Sequence, residues 1–337
     1  MNLDVASTAS PVGYGGAPFA VLLLHTGGPT SAGDMRSYLD QRLLDQAPFS
    51  VGFILRAPFL RVMSWMQSRS LQRKLLALSQ PPAFGAIVER CASGVEQRLR
   101  LRGRDAYVRG VCRFLQPPIE PALAQLYEQG LRRLVLVFLH AQTSAVGTAS
   151  IWREYRRAAS QSGCILRSVA VESWYADGRY LDLMADNLQR QLEALSPDDR
   201  RDARVLFCAD GIPEGSTPEN NRYIEQVDAT IQGIVARLPE PVQWGLGFHR
   251  GSSLQRWVGP TIDHAAQTLA ETGGRHLVCM PLAVQEQLEA LHEIDVRLAS
   301  QANTLGFESF HRIEALRDHP ALLDLLADLI EEKLTAE

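Results

Sequence analysis

The sequence predicts an α/β protein built as two doubly wound, Rossmann-like units with parallel sheets and a cleft between them. Three observations carry this. The chain has 337 residues, 46% apolar and 21% charged, long enough for two ordinary domains and a substantial core. Short apolar runs alternate with helical patterns through the whole length. Those runs are near-continuous in apolar residues, as parallel strands covered on both faces require.

Taken in order, MNLDVASTASPVGYGGAPFA contains no Lys or Arg, lacks the basic start of a secretory signal, and reads as a flexible lead-in. FAVLLLH (19–25) is the first buried strand. HTGGPTSAGD follows, and its Gly27 and Gly28 permit either a tight strand-to-helix turn or close backbone approach to a ligand. The stretch 50–80 mixes Phe, Ile, Leu, Met and Trp with Arg and Lys. It suits a long helix with one core-facing side, a lip over a cleft, or a peripheral membrane contact. IEPALAQLYEQG places Ile119, Leu123 and Leu126 at helical spacing, with Gly130 as the stop. RRLVLVFLH (132–140) is the next strand, and a break between units is expected near 165–178.

The second half repeats the rhythm. Strands ARVLFCAD (203–210), VQWGLGFH (242–249) and RHLVCMPL (275–282) are separated by the helical segments RYIEQVDATIQGIVARL and TIDHAAQTLAETGG. The expected division is residues 17–168, residues 169–306, and C-terminal helices over 307–337 packing back on the first unit.

Several function classes fall away. A formal charge of −4 with no dense Lys/Arg stripe excludes a nucleic-acid partner, and no apolar run reaches membrane-spanning length. Cys91, Cys112, Cys164, Cys208 and Cys279 are scattered without a CxxC pair. That points to a reduced, cytoplasmic protein with no iron–sulfur cluster and no structural zinc. There is no GxGxxG, P-loop or GxSxG motif, and Ser144 lacks a recognisable triad order.

The strand ends carry the functional signal. In open α/β sheets ligands sit at the carboxyl ends of the strands, and four strands end in His25, His140, Asp210 and His249. Glu289 follows the strand over 275–282, inside an acidic series of Glu286, Glu289, Glu293 and Asp295. With helical spacing, Glu286, Glu289 and Glu293 share one face. Three imidazoles and two carboxylates suit Fe(II), Zn(II) or Co(II), and equally suit proton transfer. Each residue alone also fits a turn: a His after a strand, or an Asp before Gly-Ile-Pro. Their repetition at one end of successive strands is what favours a shared, ligand-facing cleft.

The chain also resembles the ferrochelatases, enzymes that insert ferrous iron into a porphyrin. VLLLHTGGPTSAGDMRSYLDQRLLD is similar to the family's opening strand, Gly-Gly-Pro turn and first helix. YVRGVCRFLQPPIEPALAQLYEQGLRRLVLVFLHAQTS, SWYADGRYLDLMADNLQRQL, FCADGIPEG and NRYIEQVDATIQGIVARL follow in family order. The most specific block runs from FHRGSSLQRWVGP to LEALHEID, with Trp257, Pro260, Glu289 and the Glu293-Ile294-Asp295 ending at family spacing. The resemblance implies a chelatase-like fold, a porphyrin substrate, and Fe2+ as substrate or bound metal, with Zn2+ as the alternative. It implies catalytic roles for Asp210, Glu289 and Glu293, and ligand contacts at His25, Gly27, Gly28 and Trp257. His25, His140, Asp210, His249 and Glu289 form the candidate metal set. Departures are concentrated at the site: the histidine of the family's His-Gly-Leu-Pro turn falls on Asp210, while His25, His140 and His249 replace Asn, Tyr and Gln.

Two other functions compete with metal insertion. A repurposed enzyme would hold a transition metal permanently with three of these donors and an open position. A carrier would bind tetrapyrrole or metal without turnover. Metal content of the purified protein and porphyrin turnover separate the three. Oligomeric state is left open by the sequence.

Overall fold

The structure is a computed structural model describing residues 18–31, 33–46, 53–79, 83–212, 214, 218–250 and 256–336, with backbone alone at 46 and 53–61. The lead-in before residue 18, the start of the 50–80 stretch and Gly251 lie outside the described residues. The first unit runs β1 (Phe19–His25), α1 (Asp34–Gln46), α2 (Phe53–Ala77), α3 (Phe84–Leu101), β2 (Ala106–Cys112), α4 (Ile119–Glu128), β3 (Arg133–Phe138), α5 (Thr148–Ser162) and β4 (Arg167–Val171). Next come α6 (Gly178–Glu193), α7 (Pro197–Arg201), β5 (Ala203–Asp210), α8 (Pro218–Val235), β6 (Gln243–His249), α9 (Ile262–Glu271) and β7 (His276–Pro281). The chain ends with α10 (Leu288–Leu291), a π-helix (His292–Leu298), α11 (Ala299–Leu305), β8 (Ser309–Arg312) and α12 (Pro320–Thr335).

Two four-stranded parallel sheets result, in the orders β2-β1-β3-β4 and β6-β5-β7-β8. All seven β1 residues are buried, and so are all of β5 except Asp210 at its end. That is why these two runs read as continuously apolar: each is a central strand with both faces covered. On the outer face of the first sheet, Leu22, Leu24, Leu136 and Phe138 pack against Ile119, Leu123 and Ile151 of α4 and α5. On the outer face of the second, Leu206, Leu277 and Cys279 meet α9, the π-helix and α11. The inner faces share one core with α3, α6, α8 and α12, including Val21, Leu23, Val205, Phe207, Leu188 and Leu326. Each fully buried aliphatic side chain there contributes roughly 1.5–3 kcal/mol of transfer free energy.

The structure revises several boundaries. β4 completes the first sheet and runs to Val171, past the division expected at 168. Residues 307–337 are not helices alone, because β8 pairs with β7 and closes the second sheet. α12 lies against α3, tied by Arg98 to Asp324 and by Arg102 and Arg104 to Glu331 at 2.8 and 2.7 Å. α2 buries Leu71 and Leu75 against Met35, Tyr38, Phe84 and Leu288, and leaves Val62, Trp65, Met66 and Leu76 exposed. Among the described residues no helix is long and apolar enough to cross a membrane.

Candidate active site at the ends of the parallel strands

The carboxyl ends of β1, β3 and β5 meet. His25, His140 and Asp210 line one cavity together with Gln142, Ser144, Tyr223 and Gln287. Its volume is about 20 Å³, room for about one water molecule.

Two imidazoles form one wall. The rings of His25 and His140 stack with centroids 5.0 Å apart and planes 16° from parallel. Burial pushes His25 down to about 3; His140 adds to that push and the charge of Asp210 opposes it. Burial likewise pushes His140 down to about 4, again opposed by Asp210. Both rings are therefore neutral at physiological pH. The Gly27 N–H donates to His25 Nδ1 at 3.0 Å, whereas His140 Nδ1 is buried without a hydrogen-bond partner among the described residues.

The facing wall is ionic. Asp210 and His249 are register partners at the ends of β5 and β6, and the His249 Nε2–H donates to Asp210 Oδ1 at 2.8 Å. Gln287 donates to Asp210 Oδ2 at 2.7 Å, and the Asp210 N–H donates to the Tyr223 hydroxyl at 2.9 Å. Burial raises the Asp210 carboxyl, but the hydrogen bond and charge of His249, then Gln287 and His140, bring it down to about 2. For His249 burial pulls downward and is overcome by Asp210, Glu293 and Glu289, which leave the imidazole raised. The second wall therefore pairs a carboxylate with an imidazole whose protonated form is favoured. Its side chains are only 25% and 10% exposed, so solvent screens the pair weakly.

Behind His249 the acidic series divides. Glu289 pairs with Arg42 of α1, whose guanidinium also donates to the Tyr38 hydroxyl at 3.0 Å. Burial raises Glu289, and Arg42 outweighs it to leave the carboxyl lowered. Glu293 accepts from the Arg250 N–H at 3.3 Å and pairs with Arg297 at 2.6 Å, yet burial leaves its carboxyl raised. Glu286 does not share a face with them as its spacing suggested. It precedes α10 and pairs with Arg312 at 3.0 Å, alongside Asp295 at 2.6 Å. The reason is local: helix begins only at Leu288 and widens to π geometry after Leu291, so the α-helical period does not extend over the series.

The structure therefore brings together His25, His140, Asp210 and His249, with Glu289 and Glu293 near enough to act on His249 electrostatically. Trp257 is apart from the cavity lining and packs near the backbone at Gly211. Gly27 and Gly28 are set by chain packing: Gly27 has φ +77°, and a Cβ on Gly28 would lie 2.7 Å from the Phe84 ring. Among the described residues, no three His, Cys, Asp or Glu side chains are arranged to hold a metal ion. His25 Nδ1 and both Asp210 oxygens already serve as acceptors, so the donor set does not fit a resident Fe2+ or Zn2+. Gln287, Arg42 and Tyr223 went unnoticed in the sequence. Gln287 stands among Glu286 and Glu289 like any polar helix residue, and Arg42 reads as a surface charge.

Comparison with known proteins now adds a family. Residues 18–334 match the ferrochelatase family. The chain is 30% identical over 320 residues to the ferrochelatase of Rippkaea orientalis, covering 93% of this chain and 82% of that protein. It is 26% identical over 315 residues to the ferrochelatase of Geobacter metallireducens, covering 93% and 98%. In fold it is similar to SirB from Bacillus subtilis with Fe3+, at TM-score 0.54, 13% identity and coverage of 94% and 96%. It is similar also to CbiX, the terminal enzyme for biosynthesis of siroheme in denitrifying bacteria, at TM-score 0.50, 16% identity and coverage of 93% and 98%.

Proposed function

The chain belongs to the ferrochelatase family, and on that footing we propose that it inserts a divalent metal ion, Fe2+ in the first instance, into a porphyrin bound between its two sheets. The observation that carries this reading is the set of ionisable side chains gathered at the strand ends, around a cavity that must widen to admit a macrocycle. A neutral imidazole wall faces the hydrogen-bonded Asp210–His249 wall where the central strands of both sheets end.

Metal insertion breaks two pyrrole N–H bonds and requires a cation partly stripped of water. The residues divide those tasks. Asp210 is anionic at physiological pH with both oxygens engaged, so it serves as a fixed negative charge. That charge favours cation entry and stabilises imidazolium formed nearby. His140, a neutral imidazole lining the cavity, is the base offered to a macrocycle proton. Glu293, its carboxyl raised by burial, and His249 continue the run of ionisable groups away from the cavity. Glu289 is held as an anion by Arg42, so its part requires Arg42 to shift. The family histidine replaced by Asp210 thus finds its counterpart in His249, one strand away.

The experiment is metal insertion with Fe2+ and Zn2+ and a free-base porphyrin, followed by absorbance. Turnover lost in Asp210→Asn with porphyrin binding retained supports the reading. A tightly held stoichiometric metal with no porphyrin turnover would overturn it.

A further inference from the structure

His25 closes β1 and is 2% exposed, with its ring lining the cavity. Its Nδ1 receives the Gly27 N–H at 3.0 Å. A backbone amide only donates, so the Nδ1 lone pair is consumed and the ring proton must reside on Nε2. The lock is built into the turn. Gly27 sits at φ +77°, where side chains are strained, and a Cβ there would meet Cys112 Cβ at 3.1 Å. A metal ligand needs a free in-plane lone pair, and a base needs the same. His25 has neither while the Gly27 bond persists.

We propose that His25 is a fixed hydrogen-bond donor, whose Nε2–H pairs with an unprotonated ring nitrogen of a free-base tetrapyrrole, and that it takes no metal. The assignment rests on the tetrapyrrole reading of the site and names the chemical form that this wall selects. A free-base macrocycle presents two N–H groups and two bare nitrogens. The bare nitrogens match a donor such as His25, and an N–H group matches a neutral imidazole acceptor such as His140. When the metal is seated, all four nitrogen lone pairs are engaged and the His25 bond has no partner. The contact therefore holds substrate and releases product. His140, stacked 5.0 Å away, packs along the face of the His25 ring.

Two measurements test it. In ligand-free protein labelled with 15N at histidine, the His25 ring shows the Nε2–H tautomer, assigned by its disappearance in His25→Asn; an Nδ1–H tautomer overturns the proposal. The asparagine carbonyl can take the place of Nδ1 and keep an acceptor for the Gly27 amide, while its NH2 group reaches only the Cδ2 position and leaves no donor where Nε2 stood. His25→Asn should bind a free-base porphyrin about fivefold more weakly than wild type, the effect of one net hydrogen bond. It should bind the same porphyrin carrying zinc unchanged. Equal weakening of both, no weakening of either, or weakening of the zinc complex alone, as axial ligation by His25 demands, overturns the donor role while leaving tetrapyrrole binding intact. Wild type that binds neither porphyrin overturns the tetrapyrrole reading and this assignment together.

Discussion

The two sheets share one strand order, β2-β1-β3-β4 in the first and β6-β5-β7-β8 in the second, yet their working ends differ in chemistry. In the first, β1 ends in His25 beside Cys112, and burial keeps His25 and His140 uncharged while holding the Cys112 thiol up at about 12. In the second, β5 ends in Asp210 beside His249, and their contact holds the carboxyl down and the imidazole up. Topology fixes where a ligand sits; the last residue of each strand fixes what that place can do. One wall supplies donors and acceptors without net charge, and the other supplies a carboxylate held by an imidazole.

Replacing one residue on each side tests this contrast, and the largest effect belongs to the ionic wall. Asp210→Asn should reduce metal insertion about 100-fold, the scale of losing one preorganised electrostatic group. It should also lower stability by about 2 kcal/mol in urea denaturation, because His249 loses its counter-charge. Insertion within about threefold of wild type would show that the charged end is not the working face. His249→Gln should be milder, about tenfold in turnover, since a neutral donor still reaches Asp210. In the double variant the losses should fall well short of the product of the singles, as expected for two groups acting as one. Full additivity would dissolve the pair.

The pH dependence of stability has opposite signs at the two ends. His25 and His140 have folded values of about 3 and 4, below the unfolded 6.5, so the unfolded chain binds more protons between these limits. Their contribution is complete above pH 6.5 and is lost as pH falls toward those values. His140→Phe keeps a stacked ring, and urea midpoints between pH 6 and 4.5 should then fall less steeply, by about 1.4 kcal/mol per pH unit for one titrating group. His249 has a raised value, so its contribution is present below 6.5 and fades as pH rises through that value. His249→Gln should accordingly be more damaging at pH 6 than at pH 9, and a reversed order would contradict the ion pair. The smallest effect is expected from Gln287→Leu. Removing one donor to Asp210 should cost about 1 kcal/mol, detectable as a shifted midpoint with turnover changed only a few-fold.

How much of this was legible in the sequence followed burial on two faces. β1 and β5 are central and wholly apolar before their last residues, so their runs stand out and their terminal His25 and Asp210 stand out with them. β4 and β8 are edge strands with half-covered residues, and β8 is only four residues long, so neither leaves an apolar run. β2 carries Tyr107 and Arg109 at half-buried positions, which breaks its continuity. At the site, the strand-end residues were visible because strand and ligand share an end. Gln287 and Arg42 were not, because they reach Asp210 and Glu289 from segments distant in sequence, and nothing local marks a side chain that travels that far.

The last helix bears on how the protein is made. α12 supplies Leu322, Leu323, Leu326 and Ile330 to the core that the first unit shares, and its acids Asp324 and Glu331 hold the arginines of and just beyond α3. α3 leaves the ribosome well before α12 and must wait for it. Until then α3 presents an uncovered apolar side, and a nascent chain stalled before residue 320 would be a client for chaperones.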